Sequence, residues 1–281
     1  MKRLIILLVL VAIAGIAGVV ARSHSRNTRT VVSHTVGDTQ QVIRESYELA
    51  PGATVELSGL SGSVTIETSD SKTAQVLIER NARSQEDLDR RQIKIEASAD
   101  SLRIRGEKHS NGFWSRFFGS DASEKVSLKL PRQISLTTKG VNGGVTVGAI
   151  DGSVEVAGVN GKVQIASAAG TASFKGVNGN IFVGLKKLGQ DGITLSGVNG
   201  NIELQLPADA NADLEARGMN GRVISELPNV TVDTSKHGNY SARIGNGGNA
   251  ITAKGINGNI RLTRVAEAAA AGVAGASTGN E

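Results

Sequence analysis

The sequence has no cysteine, only four prolines among its 281 residues, and an aromatic content of 3%. Without cysteine there is no disulfide scaffold, no thiolate metal site, no cysteine nucleophile and no acylated lipoprotein terminus. So few aromatics exclude a core built on ring packing, which supplies much of the buried area of ordinary domains. What is abundant is glycine, at 35 residues. Small residues and glycines with little proline suit short strands joined by repeated tight turns. The net charge is +5, with part of the excess at Lys2, Arg3, Arg22, Arg26 and Arg29. The rest is spread thinly, without a basic cluster or interleaved aromatics, and no nucleic-acid partner is expected.

One long apolar run is present. After Met1-Lys2-Arg3, residues Leu4 to Ala21 carry no charge. As a helix such a run spans roughly 27 Å, enough to cross a bilayer. An N-terminal apolar helix over 1–21 is therefore predicted, as a signal peptide cleaved after Val19-Val20-Ala21 or as a retained membrane anchor. The flanking basic residues nearly balance and do not orient it. Residues 22–41 read as a polar tether.

Internal repetition is the strongest signal. Six copies share Gly-apolar-Asn-Gly-x-apolar, with their asparagines at Asn142, Asn160, Asn178, Asn199, Asn220 and Asn257. Weaker copies at Ala149-Ile150-Asp151-Gly152 and Ser167-Ala168-Ala169-Gly170 fall midway between the early ones. The unit is a strand plus a turn, and two units make a coil of about 18 residues. An upstream cousin, Gly59-Leu60-Ser61-Gly62-Ser63-Val64, extends the pattern towards the N-terminus. Asn-Gly is a turn signal because both residues tolerate positive φ. After each turn apolar residues recur with period two, as in Val145 and Val147, Val163 and Ile165, Ile202 and Leu204. That alternation describes strands with one buried and one wet face.

An antiparallel meander is the rival architecture, since Asn-Gly also joins hairpins. A meander does not need the same register at every turn, whereas every asparagine here has an apolar residue three positions later. The expected fold is thus all-β, a parallel β-solenoid. In it the six asparagines form a structural turn ladder of stacked side-chain amides. Residues 134–263 read as the regular solenoid, with excursions at 184–192 and 225–250. Residues 42–133 read as an N-terminal β region or cap with a short charged helix near Gln85–Arg91, and 264–281 as a disordered Ala/Gly-rich tail.

The strand ending at Leu130-Pro131, the Gly-Val-Asn-Gly units and Leu206-Pro207-Ala208-Asp209-Ala210 together resemble the bacterial putative-adhesin β-solenoid family, a domain of unknown function in envelope proteins. The resemblance spans about residues 50–263. It implies a right-handed parallel β-helix-like fold without catalytic residues. Some relatives are linked to envelope-stress signalling. The loop at 111–119 and the 225–250 stretch depart from the pattern.

Little else suggests chemistry. Phe113, Trp114, Phe117 and Phe118 crowd a polar loop, either contacting a partner or membrane, or folding back to plug one end of the stack. His24, His34, His109 and His237 are not spaced as metal ligands. The Gly-Gly-x-Gly-x-Asp of calcium β-rolls is absent. Outward residues alternate Thr, Glu, Gln, Ser and Lys without the paired carboxylates of a polysaccharide-active β-helix enzyme. No cofactor, metal or catalytic residue is expected. The expectation is a non-enzymatic, exported envelope protein, adhesin-like or structural, with a glycan or protein partner. A regulatory partner of an envelope-stress sensor is the alternative.

Overall fold

The computed structural model describes residues 29–35, 38–108, 122–228, 230–236 and 238–265. The apolar run, residues 22–28 of the tether, the aromatic loop and the Ala/Gly-rich tail from 266 onward lie outside the described residues. Strands dominate. The first third contains β1 (Arg29–Thr35), β2 (Asp38–Glu48), β3 (Ala53–Ser58), β4 (Val64–Ser69), β5 (Thr73–Ala82), the helix α1 (Gln85–Arg90), β6 (Arg91–Ala97), β7 (Ser101–Lys108) and β8 (Ser123–Pro131). The middle contains β9 (Ile134–Val141), β10 (Val145–Ile150), β11 (Val154–Val159), β12 (Val163–Ala168), β13 (Ala172–Lys175), β14 (Ile181–Leu185), β15 (Ile193–Asn199) and β16 (Ile202–Leu206). The last part contains β17 (Ala212–Arg217), β18 (Val223–Ser225), β19 (Val230–Lys236), β20 (Asn239–Ile244), β21 (Asn249–Asn257) and β22 (Ile260–Arg264).

These strands form two large, mostly parallel sheets. Sheet A has the order β1-β2-β5-β8-β4-β10-β12-β14-β16-β22-β18, and sheet B the order β19-β20-β17-β21-β15-β13-β11-β9-β3-β7-β6. From β9 to β16 the chain alternates between the sheets, so that each pair of strands lies on the pair before it. Equivalent repeat residues become neighbours, as in Val145↔Val163 and Val163↔Ile181. The parallel stacking already includes β3 and β4, which pair with β9 and β10. The upstream Gly59 unit therefore joins the same stack.

The period-two aliphatics of the two sheets face each other. Val145, Val156, Val163, Ile165, Val183, Leu204, Ile260 and Leu262 are all at most 1% exposed. Phe174 is the largest of the fully buried side chains and lies between Val156 and Leu195 of the adjacent coils. Burying an aliphatic side chain is worth roughly 1.5–3 kcal/mol, which lets a narrow interior hold together with almost no aromatics. Thr138 lies in this interior and its hydroxyl has no partner.

Antiparallel strands finish both sheets at one end of the stack and sheet B at the other, where sheet A ends in the short strand β18, parallel to β22. At one end β1, β2, β5 and β8 pair antiparallel in sheet A, and β6 with β7 in sheet B. At the other, the β19–β20 hairpin closes sheet B through β17. The antiparallel strands cover three of the four parallel edges on which another chain could grow, and the fourth is the three-residue β18, short as exposed edges tend to be. The charged stretch near Gln85 forms α1. The Ser84 hydroxyl accepts from the Asp87 amide, Glu86 and Asp87 sit in the first turn, and Leu88 is buried. That arrangement satisfies an orphan amide and complements the helix dipole.

Stacking does not follow chain order throughout. β21 and β22, last in sequence, pair with β15 and β16 on one side and with β17 and β18 on the other. The hairpin explains why. One side of β17 is taken by β20, so its other side must receive β21. The chain returns through 245–248, where the Asn246 amide donates to Asn211 Oδ1 at 2.8 Å and the Gly248 amide to Asp213 Oδ2 at 2.9 Å.

Candidate functional site

Six coils turn from sheet B to sheet A through a Gly-apolar-Asn-Gly corner, and these corners form one column. The asparagines line it. Asn160 Nδ2 donates to Asn142 Oδ1 at 3.1 Å, Asn178 to Asn160 at 3.0 Å and Asn199 to Asn178 at 3.1 Å. Asn257 then donates to Asn199 at 2.9 Å, and Asn220 to Asn257 at 3.0 Å. The amide sequence thus runs 142, 160, 178, 199, 257, 220, following space rather than chain. A second, shorter series lies two residues on, where Asn180, Asn201 and Asn259 accept the backbone amides of Asn201, Asn259 and Arg222 at 2.9, 2.9 and 3.0 Å. Inside the corner, Val141, Val159, Val177, Val198 and Ile256 are 1% exposed.

The glycines have two separate reasons. One left-handed residue is the first glycine, two places before the asparagine, with φ of 62° at Gly158. The glycine of the Asn-Gly pair, where turn chemistry expects positive φ, has it in four corners, from 150° at Gly258 to 159° at Gly221, and the first glycine adds a second such position. The glycine after asparagine is also required by proximity, since a Cβ on Gly161 would stand 2.5 Å from the Gly143 carbonyl oxygen.

The column is closed at both ends. At the N-terminal end the Ser61 amide donates to Glu124 Oε2 at 2.8 Å, and Glu124 Oε1 accepts from Arg91 Nε at 2.7 Å. Arg91 also donates to the Gly59 carbonyl at 2.8 Å, and Arg80 to the carbonyls of Leu88 and Arg91. Burial pulls the Arg80 guanidinium below its ordinary range, opposed by the nearby Glu124 carboxylate. Breaking such a buried pair by removing one partner costs about 3–5 kcal/mol. At the far end the Met219 amide donates to the Gly238 carbonyl at 2.9 Å, and the Tyr240 hydroxyl to the Gly221 carbonyl at 2.8 Å.

Residues 150–263 match the Toastrack DUF4097 family. The matched stretch contains five of the six corner asparagines and both excursions. The chain is also similar to a "putative cell adhesion protein" from Clostridium sporogenes, at 15% identity and a TM-score of 0.39, covering 79% of this chain and 99% of that one. A "putative adhesin" from Bacteroides fragilis gives 11% identity and a TM-score of 0.35, covering 79% and 96%. A "Putative lipid binding protein" from Parabacteroides distasonis gives 12% and 0.25, covering 79% and 97%. No curated protein matches the chain.

Outside the column, the wet faces of the sheets are shallow. A groove of about 660 Å³ crosses β2, β5, β8 and β4 of sheet A, with Arg44, Glu67 and Lys129 on its walls. Glu45 on its rim is pushed up by burial and accepts from the Tyr47 hydroxyl. No group of three metal-ligating side chains occurs among the described residues. Phe113, Trp114, Phe117 and Phe118 lie outside the described residues.

One arrangement escaped the sequence reading. The residue just before each corner's first glycine is Lys139, Ala157, Lys175, Ser196, Arg217 or Lys254. These positions share a register on the outer face of sheet B. The basic excess that looks thinly spread along the chain is thus partly gathered into a row. Its signal was the fixed place of the cations within the repeat.

Proposed function

We propose that this is a non-enzymatic cell-envelope protein of adhesin-like or structural type, a parallel β-solenoid presenting repetitive sheet faces for binding. The observation that carries this reading is the amide column, which keeps successive coils in one register over two long, polar, solvent-facing sheets. Such faces offer repeated groups to an extended partner, and fixed backbone makes binding less costly in ordering. The most buried carboxylate, Glu124, is engaged by Arg91 and the Ser61 amide and is not free for acid–base work. The match to Toastrack DUF4097 and the adhesin names of similar structures are compatible with the reading. The apolar run over 4–21 would deliver or hold the body in the envelope. Among the described residues no helix is long and apolar enough to cross a membrane.

The test is a C-terminal alkaline-phosphatase fusion of the full chain, combined with cell fractionation. Phosphatase activity and an envelope-associated protein are expected. An inactive fusion found only in the cytoplasm overturns the reading.

A further inference from the structure

The row of cations on sheet B extends beyond the corner repeats. Lys94 pairs across to Arg105, Arg105 to Ser58, and Ser58 to Lys139. Ala157 follows, then Lys175, Ser196, Lys254 and Arg217. All six basic residues are exposed, and no acidic residue interrupts the row. From Arg105 to Lys254 a cation stands on every other strand, which is a repeat of about 10 Å at ordinary strand spacing. The whole row is roughly 40 Å long on the same spacing.

Side chains two residues earlier on the parallel strands, and two later on the antiparallel β6, make a neighbouring row of different character. It holds Glu96, Glu56, Glu155 and Glu215, with one cation, Arg103, between the first two and paired with Glu56. Lys94, Lys139 and Arg217 have carboxylates of that row within ion-pair reach. These are exposed pairs, worth little and easily exchanged for another anion. Beside Lys175 and Lys254 the same row carries Ser173, Thr194 and Thr252 instead. Arg105, Lys175 and Lys254 form no ion pair among the described residues.

We propose that the outer face of sheet B binds an extended anionic polysaccharide laid along this row, centred on Lys175 and Lys254. The inference rests on the envelope-binding reading above and names its ligand class. A single linear chain can meet the cations while staying clear of the neighbouring carboxylates, which a flat anionic bilayer would meet at once. A polyuronate, with one carboxylate on every sugar, brings every second charge to roughly the spacing of alternate strands. The hydroxyls of Ser173, Thr194, Thr252 and Ser196 suit its sugar hydroxyls. Single-stranded nucleic acid would want stacking aromatics, and the row and its neighbour contain none.

The experiment is titration of the full chain with polygalacturonate and with neutral dextran. Salt-sensitive binding of polygalacturonate but not dextran is expected. K175Q/K254Q, both at exposed positions, should weaken it by about tenfold, while K129Q/R261Q on sheet A leaves it unchanged. Equal affinity of K175Q/K254Q and the natural chain overturns the proposal. So does tighter binding to phosphatidylglycerol vesicles or to single-stranded DNA than to polygalacturonate. The titration bears on the row alone and the fusion assay on the envelope reading alone, so the two can fail separately.

Discussion

Each coil turns twice, and the two corners obey different rules. At the asparagine corner the next strand begins three residues after the asparagine in every coil, from Asn142 and Val145 to Asn257 and Ile260. At the opposite corner the connection is 132–133 in one coil, 151–153 in another, 186–192 in a third and 207–211 in a fourth. Backbone stacking persists there, with the Ala169 amide donating to the Ile150 carbonyl at 3.0 Å, but the corresponding side chains are Asp151 and Ala169 and build no ladder. A side-chain column demands equal spacing, because each amide must meet one above and one below. Where no column exists, loop length costs little, about 0.6 kcal/mol per doubling. Among the asparagine-bearing coils, variation is therefore confined to one edge of the molecule.

The comparison can be broken most sharply by insertion. One residue added between Asn160 and Gly161 should abolish cooperative unfolding in a thermal melt, because it displaces a corner and flips the following strand. The same insertion after Gln190 should change stability by less than about 1 kcal/mol. Next in size is Gly179→Ala, whose Cβ would stand 2.3 Å from the Gly161 carbonyl oxygen. A loss of about 3 kcal/mol in urea titration is expected. Asn178→Ala removes two ladder bonds, and Asn220→Ala only one. Losses of about 2 and about 1 kcal/mol are expected, respectively, with Asp151→Ala near zero; equal effects at Asn178 and Asp151 would remove the distinction between corners.

The smallest effect is tied to pH. The Gly248 amide and then Arg243 hold the Asp213 carboxyl below its ordinary value of 3.8. Because the folded pKa is depressed, its contribution is complete above that ordinary value and disappears as pH falls through the lower folded one. Asp213→Asn should therefore speed amide exchange in 245–248 at neutral pH, and the difference from the natural chain should vanish in strong acid.

Much of this architecture was legible because the repeat carries its own register. The apolar residue three places after each asparagine located the strands, and period-two valines located their buried faces. The order of the last coils was not legible. The units at Asn220 and Asn257 present the same corner chemistry, so either could lie on the Asn199 coil, and the choice rests on the antiparallel β19–β20 hairpin. The Arg91–Glu124 pair was hidden because its partners are 33 residues apart in sequence. The cation row was hidden for a similar reason, with Lys139 and Lys175 distant along the chain but two strands apart in space.

The inward placement of β21 and β22 governs how the molecule must be completed. A chain emerging N-terminus first can stack its coils in turn only as far as β16. The layer of β17 and β18 then has no floor until the final stretch arrives to wedge beneath it. Synthesis halted before residue 249 would leave two unsatisfied parallel edges facing one another, so the closing step of assembly belongs to β21 and β22.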